Sequence, residues 1–402
     1  MLELEEAVGR ILARVPPARP EEVQLNQAHQ RVLLESVAAP VALPPFDNSA
    51  MDGYAGRSRD IEGAQADKPV ALRLAGRVAA GETFSGEVAA GCCVRVFTGS
   101  ALPAGADCVV MQEDTRVEAD NPSEILVLER ALPWENVRLR GEDIRTGTSV
   151  GSGGEVLNAG RLSLLAAVGV SKVIVGRQPV VGVMATGSEL KEPGQPLDEG
   201  RIYESNRVGL SALIRSAGAQ PLVFPIIADT MESTTGAMSE ALERCDLLVT
   251  VGGASVGDLD LVKPALEQIG ARLDFWKVAI KPGRPFVFGQ AGEKLIFGLP
   301  GNPVSALVTF LLLVRPALRR WQGSQDTVLP GFAGVLSEPL TNQGARRHFV
   351  RVRVTGEGMI GSAGAQASHV LSSFAAADGL VEVPANTTLA VGSRVRVLTW
   401  GA

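Results

Sequence analysis

The sequence predicts a multidomain α/β plus β fold, and three observations support this prediction. The chain has 402 residues, more than one hydrophobic core usually organises, so two to four domains are expected. Apolar strand-like runs alternate with helical stretches over residues 178–322, which indicates an α/β domain with a mostly parallel sheet. Short β-prone runs dominate the segments before and after it, so β-rich domains are expected on both sides.

The N-terminal part combines helical segments with a β-rich insert. Residues 2–15 have the spacing of an amphipathic helix, and a second helix is predicted around residues 21–35. Runs such as VALRLAG and CVRVFTG, separated by Gly, Pro and Asp, predict short strands. Residues 155–175 return to a helical pattern, which the strand SKVIVG follows. The predicted units are a mixed helical and β linker domain, formed by residues 1–45 and 141–177, and a β-rich domain over residues 46–140.

The central and C-terminal domains differ in pattern. The runs PVVGVMA, PLVFPII, DLLVTVGG and KLIFGLPG are predicted strands of the central domain, residues 178–322. Beyond Trp321, the alternating runs RRHFVRVRV and SRVRVLTW predict a C-terminal β-barrel-like domain over residues 323–402. Helical stretches of the central domain are predicted around residues 206–217, 231–244, 259–269 and 303–320.

Composition excludes several classes of protein. The net charge of −6 argues against non-specific nucleic-acid binding that relies on overall basicity. The four cysteines show no CxxC spacing, so buried thiols are expected rather than a zinc or iron–sulfur site. The acidic N-terminus lacks a signal-peptide pattern, and no apolar run reaches the ~18–20 residues that span a membrane. A cytoplasmic protein without a membrane partner is expected.

Three loops of the central domain follow predicted strands, where ligands bind in open α/β sheets. The loop TGSEL presents Thr186, Ser188 and Glu189. The loop FGLPGNPVSA places Asn302 as an N-cap and Pro303 at the first helical position, a helix start that can receive an anion. The third loop, VGGASVGDLD, offers glycines for close backbone approach and oxygen ligands, namely Gly252, Gly253, Gly257, Ser255, Asp258 and Asp260.

The loop VGGASVGDLD also has a purely structural interpretation, in which its acids cap the next helix, and FGLPGNPVSA can be an ordinary helix start. The basic segment FWKVAIKPGRP lies between two of the loops, and its Lys277 and Lys281 can face one anionic ligand rather than solvent. Oxygen ligands favour Mg²⁺ over zinc, and the candidate ligands are Glu189, Asp229, Asp258 and Asp260. The residues alone therefore predict an enzyme that handles a phosphorylated or nucleotide-like anion with Mg²⁺.

One N-terminal loop, PPFDNSAMDGYA at residues 44–55, carries two carboxylates without a visible partner. Together with VFTGSALPAGADCVV, ENVRLRGEDI, ATGSEL, IYESN, TVGGASVGDLD, FWKVAIKPGRPFVFG and GLPGNPVSA, in this order, it closely resembles the molybdopterin molybdenumtransferases, the MoeA family. The resemblance implies a molybdopterin-binding type of central domain. It also implies molybdate insertion into adenylylated molybdopterin, with Mg²⁺-dependent release of AMP.

The resemblance assigns roles by motif. The implied catalytic residues are Asp52, Thr98, Asp143, Glu189, Asp229 and Asp260, with Asp258 beside the metal-binding acids. The implied substrate-binding residues of the central domain are Gly252, Gly253, Ser255, Lys277, Lys281, Pro300 and Pro303. In the C-terminal domain, where a solvated strand face is the alternative, they are Arg346, Arg351 and Ser368, with Ser372 as a further serine.

The resemblance also implies partners. Family members are homodimers whose active cleft lies between the α/β domain of one subunit and loops of the other. A molybdopterin adenylyltransferase and molybdoenzyme-maturation proteins are expected as further partners. Two alternatives stay open at this point: an adenylyltransferase that makes the intermediate from ATP, and an inactive scaffold of the same family. The motifs do not separate molybdate from tungstate.

Overall fold

The computed structural model describes residues 1–252 and 261–400. Four residues of the predicted site, Gly253, Ser255, Asp258 and Asp260, lie outside the described residues. Three six-stranded sheets organise the described chain, one in each of the regions that the sequence predicts to be β-rich or α/β. The predicted multidomain class, with a mostly parallel central sheet, is confirmed.

The N-terminal part contains two α-helices and twelve strands. The helices are α1, Leu4–Leu12, and α2, Ala159–Ala167. The strands are β1 Pro20–Gln24, β2 Val37–Ala38, β3 Asn48–Ser49, β4 Gly53–Gly56, β5 Val70–Val78, β6 Cys92–Val96, β7 Cys108–Met111, β8 Thr115–Val117, β9 Glu124–Val127, β10 Val137–Arg138, β11 Ser149–Gly151 and β12 Lys172–Gly176. The sheet of the insert has the order β7-β4-β6-β5-β9-β8.

The prediction of a helix around residues 21–35 is wrong. This segment forms β1 and a short 3-10 helix, Leu25–Gln27. Strand β1 pairs antiparallel with β12, and Val23 lies opposite Val173. The local sequence pattern is compatible with a helix, but pairing with a strand far along the chain determines the conformation. Tertiary contacts often override local secondary-structure propensity in this way.

The central region has an α/β arrangement. Its sheet has the order β16-β13-β17-β21-β20-β18. The first four strands run parallel, β20 pairs antiparallel with β21, and β18 pairs antiparallel with β20. The strands are β13 Val180–Ala185, β14 Leu190–Lys191, β15 Ile202–Tyr203, β16 Gln220–Val223, β17 Leu247–Val251, β18 Arg272–Phe275, β19 Ile280–Lys281, β20 Val287–Ala291 and β21 Lys294–Leu299. The helices are α3 Asn206–Ser216, α4 Met231–Arg244, α5 Val262–Gln268, α6 Pro303–Thr309, a π-helical segment Phe310–Val314, and α7 Arg315–Trp321.

The C-terminal sheet recruits one strand from the central region. Strand β19 pairs parallel with β24, and the order is β19-β24-β26-β28-β22, with β25 beside β24. The C-terminal elements are β22 Gly331–Val335, β23 Leu340–Asn342, β24 Arg347–Val354, β25 Ile360–Ser362, α8 Leu371–Ala375, β26 Gly379–Val383, β27 Thr387–Leu389 and β28 Arg394–Leu398. No helix within the described ranges is long and apolar enough to cross a membrane.

The central core continues into both ends of the chain. Ala7 and Ile11 of α1 and Phe349 of β24 are buried with the strands and helices of the central region in one hydrophobic cluster. Arg347 of β24 also donates to Glu5 of α1 at 2.7 Å. These contacts fix the C-terminal sheet against the central domain, so residues from both can contribute to one site.

Candidate functional site

A cavity of about 700 Å³ lies at the carboxyl edge of the central sheet. Loops that follow β13, β17 and β21 meet there, as expected for an open α/β sheet. Five residues of the predicted site are among its lining: Glu189, Asp229, Gly252, Pro300 and Pro303. The lining also includes Thr186, Tyr203, Glu204, Asn206 and the exposed His369.

The loop TGSEL brings the two described acids to this cavity. Its amide of Ser188 donates to Oδ2 of Asp229 at 2.7 Å, and the carbonyl of Glu189 accepts from Ile202 at 2.9 Å. Both carboxylates are exposed and line the same cavity. Because one oxygen of Asp229 is held by a backbone amide, its orientation is fixed while the other oxygen stays open to a ligand.

Gly252 joins the first two loops in a way that requires glycine. Its φ is +87°, and a Cβ atom there would lie 2.6 Å from the carbonyl oxygen of Thr186. No L side chain fits such a backbone contact without displacement. The predicted close approach of a ligand to this loop stays a prediction, and the structure shows that Gly252 is needed for the contact with Thr186.

A buried ion network forms one wall of the cavity. Nε of Arg207 donates to Glu204 at 2.9 Å, and its Nη2 donates to both oxygens of Glu192 at 2.8 Å. Glu204 and Arg207 are only 1% and 5% exposed, respectively. The neighbouring Asn206 donates to the carbonyl of Gly301 at 2.9 Å, which ties this wall to the loop before α6. The motif IYESN contains two of these residues, but we assigned it no role from sequence.

The start of α6 is partly closed by the C-terminal region. The amide of Val304 donates to the carbonyl of Ser368 at 3.1 Å, so it is not open to an anion. Asn302 occupies the predicted N-cap position, but its side chain makes no capping hydrogen bond. Pro300 and Pro303 line the cavity at this point. Ser368 therefore contacts the site loop through its backbone.

The two predicted lysines lie in different surroundings. Nζ of Lys277 lies 5.4 Å from the ring centroid of Trp276, and Nζ of Lys263 lies 4.1 Å from the same centroid. Lys277 lines a second cavity of about 720 Å³, beside the N-terminal residues. Lys281 is an exposed residue of β19 and lies opposite His348 of β24. Their contact with a common ligand stays a prediction.

Lys281 belongs to a group of cations that we call the cationic cluster: Lys281, Arg284 and Arg346. Arg346 donates to the carbonyl of Ile280 at 2.8 Å, and burial together with the charge of Arg284 lowers its pKa. A Cβ atom at Gly283 would lie 2.2 Å from Cγ2 of Thr309, so the chain between Lys281 and Arg284 packs directly on α6. Within the described ranges, none of the three has a carboxylate partner within 4.0 Å.

Arg351 supports the neighbouring serine loop. It is fully buried and donates to Ser373 at 2.9 Å and to the carbonyls of Ala365 and Ala367 at 2.9 and 3.2 Å. Burial lowers the pKa of this guanidinium. Arg351 thus holds the backbone that leads to Ser368, while Ser372 is exposed on α8. A direct contact of Arg351 with substrate stays a prediction.

Three predicted catalytic residues lie in the N-terminal part and line neither cavity. Oδ1 of Asp52 accepts from the amide and the hydroxyl of Thr98, both at 2.8 Å. These bonds, with the nearby charge of Arg95, lower the pKa of Asp52. Asp143 is exposed, and its amide donates to the carbonyl of Leu43 at 3.1 Å. The structure therefore brings Asp52 and Thr98 together, but not into the cavity of their own subunit.

Metal-binding chemistry at the cavity depends on carboxylates. Within residues 1–252 and 261–400, no three His, Cys, Asp or Glu side chains group closely enough to hold a metal ion. Glu189 and Asp229 offer carboxylate oxygens, the ligand type that suits Mg²⁺. The four cysteines are buried and unbridged, as predicted, and burial raises the pKa of Cys93 and Cys108 to about 12. These two thiols are therefore protonated at neutral pH.

The fold and site define a multidomain protein whose α/β domain carries a cavity lined by carboxylates at the carboxyl edge of its sheet. Comparison with family models shows to which family this protein belongs. The MoeA N-terminal region (domain I and II) matches residues 2–169, a probable molybdopterin binding domain matches residues 182–320, and the MoeA C-terminal region (domain IV) matches residues 333–400.

Relatives match over nearly the full length. A molybdopterin molybdenumtransferase of Haemophilus influenzae is 37% identical over 93% of this chain and 92% of its own length. One of Bacillus subtilis is 33% identical over 96% of this chain and 91% of its own. A molybdopterin biosynthesis MoeA protein of Pyrococcus horikoshii superposes with a TM-score of 0.83 at 30% identity, covering 99% of this chain and 100% of that one.

The chain belongs to the MoeA family of molybdopterin molybdenumtransferases. The resemblance inferred from the motifs is confirmed, and so are the predicted enzyme class and its place in molybdenum-cofactor biosynthesis. The matched N-terminal and C-terminal regions argue against a lone adenylyltransferase domain, which would lack both.

Proposed function

We propose that this enzyme takes adenylylated molybdopterin and molybdate, places the metal on the dithiolene of the pterin, and releases AMP with the help of Mg²⁺. The observation that carries the proposal is the cavity with two open carboxylates, Glu189 and Asp229, whose lining reaches Pro285, the residue after Arg284 of the cationic cluster. Among the described residues, this cluster has no carboxylate partner. One part of this surface suits a metal-bound diphosphate. The other suits a free oxyanion.

The acids of the cavity would hold Mg²⁺. Asp229 is oriented by the amide of Ser188 and keeps one oxygen open, and Glu189 faces the same space. Asp258 and Asp260, assigned from the resemblance, lie outside the described residues and remain part of the proposal. Mg²⁺ neutralises the charge of the diphosphate when bound. Gly252 lines the same cavity, and its backbone would orient the phosphates.

The cationic cluster would hold the tetrahedral oxyanion. The resemblance predicts that Lys277 and Lys281 hold the pterin phosphate or molybdate and that Arg346 binds substrate. We assign the oxyanion to Lys281 and Arg346, and Arg284 joins them because its charge acts on Arg346. Charge-assisted hydrogen bonds from a lysine and two guanidiniums suit a dianion. Lys277 lies apart from this cluster, beside Trp276 and the second cavity, and would hold the phosphate of the pterin. Lys263 of the same cavity is paired with Glu267 at 3.8 Å.

A second subunit would complete the site. Asp52 and Thr98 are exposed and line neither cavity of their own chain, yet their hydrogen bonds keep the carboxylate ionised. The loop of residues 44–55, which contains Asp52, exposes Phe46 and Met51, and Trp134 is also exposed. These apolar side chains favour contact with another protein surface. We propose a homodimer in which Asp52 of the partner subunit enters the cavity. A molybdopterin adenylyltransferase and molybdoenzyme-maturation proteins are proposed as further partners, in the cytoplasm.

The experiment is an assay of AMP release. Purified protein is incubated with adenylylated molybdopterin, molybdate and Mg²⁺, and AMP is quantified by chromatography. Release that requires the metal ion supports the proposal. No metal-dependent AMP release would contradict it. Pyrophosphate release from ATP and free molybdopterin would instead indicate an adenylyltransferase. Tight binding of a partner protein without turnover, unchanged by Asp52→Ala, would indicate a scaffold.

A further inference from the structure

His348 of β24 is an unexplained buried polar residue. It is 4% exposed, and neither of its ring nitrogens has a hydrogen-bond partner within the described residues. A neutral imidazole carries one donor and one acceptor, and leaving both unpaired in the interior is costly. A polar group in this state calls for an explanation beyond packing.

The position of His348 connects it to the cationic cluster. It lies directly opposite Lys281 in the parallel pairing of β19 and β24, so the two side chains share a face of the sheet. On its other side the paired residue is Val383 of β26, while Glu382 of that strand accepts from Arg347 instead. Asn342 of β23, which is uncharged, donates to the carbonyls of Arg346 and Val383.

The charges that act on His348 are all positive. Lys281 faces it from β19, Arg346 lies just before β24, and Arg351 lies on β24. Burial and these three cations lower its pKa to about 4. The ring is therefore neutral at neutral pH while the cluster is empty. A dianion bound to the cluster would offset the surrounding positive charge and reverse this preference.

We propose that His348 is the buried proton acceptor of the oxyanion site, so that a tetrahedral dianion held by Lys281 and Arg346 is bound together with a proton on the His348 ring. The inference rests on the proposed oxyanion role of the cationic cluster. His348 is a positioning residue in this scheme, because its nitrogens are buried and act through Lys281 and Arg346 rather than through direct contact. Protonation adds a positive charge only when a ligand can balance it.

The first test uses nuclear magnetic resonance of labelled histidine. The chain has only three histidines, His29, His348 and His369, so the resonance of His348 is identified by its loss in His348→Gln. We expect its titration midpoint near pH 4 in the free protein, and higher by about two pH units with saturating sulfate or molybdate. Sulfate is included because it stays a dianion throughout this range, so its binding adds no protons of its own.

The second test counts protons by calorimetry. Binding of sulfate at pH 6 is measured in two buffers with different ionisation enthalpies. The wild type should take up about half a proton per bound dianion, and His348→Gln close to none. His29→Gln is the matched control and should behave like the wild type. Equal uptake by wild type and His348→Gln, with an unmoved His348 resonance, would overturn the inference.

The oxyanion site itself is tested separately with Lys281→Ala. Loss of sulfate and molybdate binding in this variant, measured at pH 8 where His348 is neutral, supports the cluster as the binding site. Binding that is unchanged in Lys281→Ala would refute the proposed site. Binding that is lost in Lys281→Ala, but without proton uptake in the wild type, would refute only the role of His348.

Discussion

Thr98 donates two hydrogen bonds to one carboxylate oxygen of Asp52, from its amide and from its hydroxyl, both at 2.8 Å. Both donors favour the ionised carboxylate and lower the pKa of Asp52. The second oxygen of Asp52 remains open on the exposed face of the loop. The carboxylate is thus fixed in place with one oxygen free, which the proposed contact with a partner subunit requires.

Asp52→Ala should abolish most of the activity without unfolding the protein. Because the side chain is exposed, we expect an unchanged melting temperature and dimer content, and a loss of turnover by about 100-fold. The measurement is AMP release beside thermal unfolding and sedimentation. Thr98→Ser, which keeps the hydroxyl, is the matched control and should retain activity. If Asp52→Ala fails to fold, the role of Asp52 is to stabilise its turn, and the proposed catalytic role is contradicted.

Mixed dimers test whether the site is shared between subunits. Asp52→Ala and Glu189→Ala subunits are each expected to be inactive alone. In an equal mixture, about half of the dimers contain one subunit of each variant. If the site is shared, each such dimer has one intact site out of two, so about a quarter of wild-type activity returns. If both residues act within one subunit, the mixture stays inactive.

The buried pair Glu204 and Arg207 should dominate local stability. Glu204→Ala leaves the guanidinium of Arg207 without its most buried partner, and we expect a loss of about 3–5 kcal/mol in the free energy of unfolding. Glu192→Ala removes a half-exposed partner of the same guanidinium and should cost less than about 1 kcal/mol. Urea unfolding of both variants makes the comparison. Equal losses would mean that the burial of Glu204 has no energetic consequence.

Gly252→Ala should disturb the cavity, whereas alanine should be tolerated at Gly292, another glycine of positive φ. The new Cβ would clash with the carbonyl of Thr186, and the alanine would have to adopt a positive φ. We therefore expect a loss of about 2–4 kcal/mol in the free energy of unfolding and of most activity. At Gly292 φ is +59° and no atom lies within 4 Å of the added Cβ. Gly292→Ala should therefore cost only about 1 kcal/mol and keep activity. Similar effects in both would show that φ alone, not the contact with Thr186, decides.

His348 should make stability depend on pH. Its folded pKa of about 4 lies below the ordinary histidine value of 6.5, so the unfolded chain binds more protons between these values. Stability is therefore complete above about pH 6.5 and falls as pH drops, by about 2 kcal/mol at pH 5 relative to pH 7.5. Urea unfolding at both pH values, without added oxyanion, should show this loss in the wild type. A His348→Gln variant with the same pH dependence would contradict the assignment.

Much of the fold was predictable from sequence, because buried parallel strands have continuous apolar runs in their sequence. PVVGVMA and KLIFGLPG are examples, since β13 and β21 are fully buried after their first residue. The segment around residues 21–35 was not predictable in this way. Its apolar spacing is compatible with a helix, and only pairing with β12, about 150 residues away, selects the strand.

The site was predictable where loops carry motifs, and hidden where strand pairing creates it. Glu189 and Asp229 follow strands of a recognisable α/β pattern, and both line the cavity. Glu204 and Arg207 were missed because a short acidic and basic pair has no distinctive spacing. The contact between Lys281 and His348 depends on the register of two strands that are distant in sequence, which no local pattern reveals.

The coupling of AMP release to molybdenum insertion tests the central claim most directly. Wild-type protein is given adenylylated molybdopterin and Mg²⁺ with or without molybdate, and AMP and pterin-bound molybdenum are quantified in the same samples. We expect about one molybdenum inserted per AMP released, with both lost in Glu189→Gln. AMP release at the same rate without molybdate, and no molybdenum on the pterin, would describe a hydrolase and contradict the account.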